Sequence, residues 1–167
     1  PEWVHLLPPG PLLRTVDGRG PYRVVSLQAV ADRFVDGDRL PIDECHATDR
    51  AVPMGLPAPA RGWIVGLQAR EDGLWGRVEW TGTGRELMAD RAYKGISPAI
   101  LYGKDGVVQQ VLRASLINTP NLQGLVALNS QENASMDFRA MLIELLGLDS
   151  SADDAAISAA LKAKLDG

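Results

Sequence analysis

Two pairs of apolar-rich segments, each pair folded back on a short turn carrying Asp-Gly, constrain this chain more than any other feature. Gly62 to Arg70 and Leu74 to Thr81 flank Glu71-Asp72-Gly73, and Ile96 to Tyr102 and Val107 to Ile117 flank Lys104-Asp105-Gly106. Such runs around Asp-Gly are strong hairpin signals, because the turn needs residues that tolerate a positive φ. With Asp105 and Gly106 as a two-residue turn, the second hairpin places Ser97 opposite Ala114. Trp3 to Leu7, stopped by Pro8-Pro9-Gly10-Pro11, and Tyr22 to Val25 add shorter strands.

Helices fall between the strands. Ser26 has the chemistry of an N-cap for a helix whose Leu27, Val30, Ala31 and Phe34 recur at i, i+3, i+4 and i+7, ended by Asp36-Gly37-Asp38. Thr83-x-x-Glu86 has the form of a capping box, opening a short helix through Arg91. Strands in this number with two inserted helices predict an α+β domain built on a mostly antiparallel β-sheet or barrel. That domain spans residues 1–129. Residues 130–136 are polar and read as a linker, and 137–167 as a short helical segment. In that segment Phe138, Met141, Leu142, Leu145 and Leu146 form an apolar stripe ended by Gly147. Ser151-x-x-Asp154 then caps a second helix bearing Ile157, Leu161 and Leu165.

Composition narrows the partners. The net charge of -4, with no basic run, argues against a nucleic-acid surface. No apolar stretch approaches the roughly 20 residues of a membrane span, and these residues contain no charged-then-apolar run of the signal-segment kind. A single cysteine cannot form an internal disulfide and fits a reducing cytoplasm. The chain opens on Pro1 rather than Met, as expected of a trimmed or processed start, and its end at Gly167 reads as an arbitrary cut.

The chemistry rests on two segments: Pro41-Ile42-Asp43-Glu44-Cys45-His46-Ala47-Thr48 and Tyr93-Lys94-Gly95-Ile96-Ser97-Pro98-Ala99-Ile100. Of the two histidines, His46 lies beside carboxylates, whereas His5 sits in the first strand and reads as structural. A histidine base and a serine nucleophile are the minimum parts of an acyl-transfer site. Pro98 cannot donate to a ladder, which places Ser97 at a strand start or edge. The imidazole also needs a group to fix its tautomer, and Asp43 and Glu44 are the nearby acids. If residues 42–47 are extended, Glu44 shares a face with His46; a bulge or turn would favour Asp43 instead. Cys45 reads as a small buried residue. No second histidine or cysteine completes a metal ligand set, and no cofactor is expected.

These segments belong to an ordered series. Pro1-Glu2-Trp3, Leu40-Pro41-Ile42-Asp43-x-x-His46-Ala47-Thr48, Pro57-Ala58-Pro59-Ala60-x-Gly62-Trp63-Ile64, Gly73-Leu74-Trp75-Gly76-x-Val78-x-Trp80-Thr81, Ile96-Ser97-Pro98 and Leu116-Ile117-Asn118-x-Pro120-Asn121-Leu122 follow one another through residues 1–130. In this the chain resembles the Mu-like phage I protein, a capsid-maturation protease with a scaffold region, similar to prohead proteases and herpesvirus assemblins. The resemblance implies a β-barrel wrapped by helices, with Ser97 as nucleophile and His46 as base. Asp43 matches the aspartate three residues before the histidine and is the first choice for the third member, Glu44 the second. Related prohead proteases often carry an acid on the strand after the serine, where this chain reads Arg113-Ala114-Ser115.

The implied function is a serine endopeptidase that cleaves scaffold, itself and, as a further candidate, the major capsid protein, inside the procapsid in the host cytoplasm. Homo-oligomerisation is compatible with that role, and the rival is a non-enzymatic assembly module using the same barrel. The helical segment resembles the start of the family's scaffold region. Because Gln131-Glu132 can be encoded by bases resembling a ribosome-binding site, a separate scaffold protein starting at Met136 is a further expectation.

Overall fold

A computed structural model describes residues 1–128 and 139–166. The chain divides into two units, Pro1–Asn129 and Ser130–Gly167. The first holds eight strands: β1 (Trp3–Leu7), β2 (Leu12–Leu13), β3 (Tyr22–Arg23), β4 (Leu40–Glu44), β5 (Gly62–Arg70), β6 (Gly73–Trp80), β7 (Gly95–Tyr102) and β8 (Val108–Ile117). Helices α1 (Leu27–Ala31), α2 (Ala47–Arg50) and α3 (Gly82–Ala89) and a 3-10 turn at Val52–Met54 lie between them. Six strands form one sheet in the order β1-β6-β5-β4-β8-β7, and β2 pairs with β3 apart from it. All its pairs are antiparallel except β4 with β8. The sheet curls until its outer strands β1 and β7 approach each other, giving a nearly closed α+β barrel. The expected fold class is the observed one.

Alternation along the strands fills the interior. Leu6, Leu7, Ile42, Ile64, Leu74, Ile96 and Leu116 are each at most 1% exposed and form one cluster. Burying side chains of this size stabilises a fold by roughly 1.5–3 kcal/mol each. Both hairpins form. In β5–β6 the loop is the pair Glu71-Asp72, with Arg70 facing Gly73. Gly73 has φ +133°, and a Cβ there would lie 2.0 Å from the Leu7 carbonyl oxygen, so the close approach of β1 requires glycine.

Three local expectations are corrected. The Ser26 cap is real, its Oγ accepting from the Ala29 N–H at 3.1 Å, but α1 stops at Ala31 and Phe34 lies in the following turn. The cap of α3 is Thr81, not Thr83: its Oγ1 accepts from the Gly84 N–H at 3.1 Å and donates to the Arg61 carbonyl at 2.9 Å. Cys45 is exposed rather than buried.

In the second unit, α4 (residues 139–146) ends at Gly147, which has φ +65°. The next helix, α5 (Asp154–Asp166), starts from Asp153, whose Oδ1 accepts from the Ala156 N–H at 2.8 Å; Ser151 donates to Asp149 instead of capping it. Ile157 is buried, whereas Met141, Leu145, Leu161 and Leu165 are exposed. The expected linker at 130–136, the start at Met136 and the Phe138 end of the apolar stripe lie outside the described residues. None of the described helices is long and apolar enough to cross a membrane.

Candidate active site

Three adjacent strands bring the site residues into one row. Ser97 on β7 faces Ser115 on β8, and Ser115 faces Asp43 on the parallel β4. A two-residue turn at Asp105-Gly106 would put Ala114 opposite Ser97, but the loop is Lys104-Asp105-Gly106, closed by the Gly103 N–H donating to the Val107 carbonyl at 3.0 Å, and Tyr102 faces Val108. A first bulge, at Gln109, brings in the expected register at Ile100↔Val111 and Leu101↔Gln110. Between Ala99↔Arg113 and Ile100↔Val111, Leu112 is an extra residue on β8, and this bulge moves every later pair by one. Ala114 therefore faces Pro98, and a hydroxyl stands beside the Ser97 hydroxyl.

His46 reaches the row from a bend. Its backbone has φ 57° and ψ 39°, and Cys45 has φ 52°, so two consecutive left-handed residues end the extended chain after Glu44. Non-glycine residues adopt this conformation at a cost, and pairs of them cluster at functional sites. The bend is pinned by the Cys45 N–H donating to the Leu116 carbonyl at 3.0 Å. It is pinned again by the His46 carbonyl, which accepts from the Asp49 and Arg50 N–H groups at the start of α2. The Thr48 N–H donates to Asp43 Oδ2 at 2.8 Å.

The imidazole lies between the two serines. His46 Nε2 is 3.1 Å from Ser97 Oγ, and Nδ1 is 3.2 Å from Ser115 Oγ. Ser115 donates in turn to Asp43 Oδ1. Ser97, Ser115 and Asp43 are 5%, 1% and 1% exposed, while the imidazole keeps about a quarter of its surface in solvent. A buried carboxylate is costly without partners; both oxygens of Asp43 have one.

The bend separates the two acids in space. Asp43 lies on the histidine's side, joined to it through Ser115 rather than directly. Glu44 points elsewhere, accepting from Arg61 Nε at 2.5 Å and from the Tyr93 hydroxyl at 2.8 Å. Burial pushes the Glu44 carboxyl up, but these two hydrogen bonds outweigh it and hold the group below its ordinary value. Burial and the Glu44 contact push the Tyr93 hydroxyl up. Sequence reasoning missed Ser115 as a site residue. It also missed Asp49, whose Oδ2 is 3.9 Å from His46 Nδ1, beyond hydrogen-bond reach, and whose Oδ1 is held by Arg113.

A cleft of about 320 Å³ opens over Ser97 and His46, lined also by Arg19, Tyr22, Ile100 and Arg113. Among the described residues, no group of three or more His, Cys, Asp or Glu side chains is placed to hold a metal ion. A hydroxyl and an imidazole nitrogen at hydrogen-bond distance in an accessible cleft are the geometry of nucleophile and base.

Fold and site together define an α+β barrel bearing a serine–histidine pair at one face. The chain belongs to the Mu-like prophage I protein family, whose N-terminal domain model matches residues 4–129. Among solved structures it is similar to Kaposi's sarcoma-associated herpesvirus protease in complex with an allosteric inhibitor. That match has 16% identity and a TM-score of 0.44, covering 99% of this chain and 90% of that one. KSHV protease in complex with a hexapeptide phosphonate inhibitor is similar at 14% identity and a TM-score of 0.43, covering 99% and 76%. No match is found among curated proteins.

Proposed function

We propose that this chain is a serine endopeptidase of phage head maturation, acting on the scaffold, on itself and on the major capsid protein within the procapsid in the host cytoplasm. The observation that carries the reading is the 3.1 Å contact between Ser97 Oγ and His46 Nε2 at the floor of the cleft. The phage setting rests on the family. In the reaction His46 Nε2 takes the Ser97 proton as Oγ attacks the scissile carbonyl. The imidazolium then gives that proton to the leaving amine, and water repeats the cycle on the acyl-enzyme. Ser97, on the outer strand β7, lines the cleft that would take an extended peptide.

The exposed Met141, Leu145 and Leu165 of the second unit favour an assembly role alongside the catalytic one. Co-expression with scaffold and capsid protein tests the enzymatic part. Ser97→Ala is expected to abolish cleavage, by several orders of magnitude in rate, with its circular dichroism unchanged. Processing at the wild-type rate in that variant would remove Ser97 from the mechanism.

A further inference from the structure

We infer that Ser115, with Asp43 behind it, is the positioning group for His46: a hydroxyl-bridged relay from serine to carboxylate that sets the imidazole tautomer. The inference rests on the reading of Ser97 and His46 as nucleophile and base. A count of protons carries it. An ionised carboxylate only accepts. Oδ2 of Asp43 already takes the Thr48 N–H, and Oδ1 takes the hydroxyl proton of Ser115. Ser115 has a single proton, so toward His46 its oxygen can only accept. The 3.2 Å contact with Nδ1 therefore requires the proton on Nδ1, which leaves Nε2 with its lone pair directed at the Ser97 hydroxyl. That is the form a general base must have.

The other acids near the bend do not compete for this role. Asp49 is 3.9 Å from Nδ1 and committed to Arg113, and Glu44 is committed to Arg61 and Tyr93. The link between Ser115 and Asp43 is itself shielded from water, each residue being 1% exposed. When His46 takes the Ser97 proton, Nδ1–H continues to donate to Ser115, Ser115 to Asp43, and Asp43 stays ionised. No proton moves along the relay.

The arrangement has a specific consequence. In Asp43→Asn the side-chain oxygen remains the acceptor for the Thr48 N–H, so the amide N–H₂ faces Ser115. The Ser115 proton then turns to Nδ1, and the imidazole is driven to the Nε2–H tautomer, which cannot accept from Ser97. Nitrogen-15 NMR of the full chain labelled in histidine reads this directly, with His46→Ala identifying the signals of the second histidine, His5. The relay predicts Nδ1–H in the wild type near pH 8, Nε2–H in Asp43→Asn, and a tautomer mixture in Ser115→Ala. Asp43→Asn added to Ser115→Ala is expected to change nothing further, since the bridge is already gone.

The labelling rate of Ser97 by a fluorophosphonate should fall roughly 10³-fold or more in Asp43→Asn and less in Ser115→Ala. Nε2–H in the wild type, or an unchanged tautomer in folded Asp43→Asn, overturns the relay. If Asp43→Asn does not fold, the wild-type and Ser115→Ala tautomers decide: Nδ1–H in both at equal population overturns it. A wild type with Nδ1–H whose Ser97 never labels supports the relay while defeating the protease, so the two failures are distinct.

Discussion

Cys45 and His46, the left-handed pair after β4, determine which carboxylate lies on the side of the imidazole. In an extended chain Glu44 would share the face of His46; the bend gives that place to Asp43. Glu44 is left as an anchor for Arg61 and Tyr93, and its chemistry has a signature in acid. Its folded-state carboxyl is held below the ordinary 4.5. The pairing therefore contributes stability fully above that value and loses it as pH falls through the lowered folded value. Glu44→Gln is expected to lower the unfolding free energy by about 1 kcal/mol at pH 7. Its melting temperature should approach the wild-type value as pH falls from 7 into the acid range, with Ser97 labelling at neutral pH unchanged. Thermal melts followed by circular dichroism from pH 7 to pH 3 check this. That His46 and Ser97 lie together, with Asp43 and Glu44 nearby, was legible from residue types and the ordered family resemblance. Deciding between the acids was not, because two unusual φ values at non-glycine residues leave no mark in a sequence.

At the scale of elements, signals confined to one turn proved readable and those that depend on neighbours did not. Both hairpins announce themselves through Asp-Gly and flanking apolar runs, and both form. The two bulges on β8, at Gln109 and Leu112, leave no mark in the sequence. The second changes the partner of Ser97 from Ala114 to Ser115, so the register expected from the turn does not bring Ser115 beside the imidazole. Caps show the same contrast. Thr83-x-x-Glu86 fits the local pattern, yet Thr81 starts the helix because its hydroxyl also reaches the Arg61 carbonyl across the fold. Thr81→Ala is expected to cost about 1 kcal/mol, and Thr83→Ala to stay within about 0.5 kcal/mol of wild type. Urea unfolding of the two variants separates the assignments; equal losses would contradict the structural one.

For the molecule as a whole, the barrel brings distant pieces of chain together. Ser97, His46 and Asp43 come from β7, the bend after β4, and β4 itself, and β8 runs between them. The part of the sheet formed by β1, β6 and β5 is tied by aromatic contacts. His5 stacks on Trp75 at 4.6 Å, its Nδ1 accepts from the Val126 N–H at 3.0 Å, and the Arg70 guanidinium lies over Trp3 and Trp75. Burial pushes the His5 imidazole down, as befits a structural histidine, while His46 stays open to the cleft. On the proposed chemistry, this barrel turns Ser97 into a nucleophile through His46. Labelling with a fluorophosphonate, read by peptide mapping and repeated on the monomer and on assembled particles, reads that reactivity. The expected outcome is a single modified residue, Ser97, with modification lost in His46→Ala. No labelling in any assembly state, or labelling at the wild-type rate without His46, would contradict it.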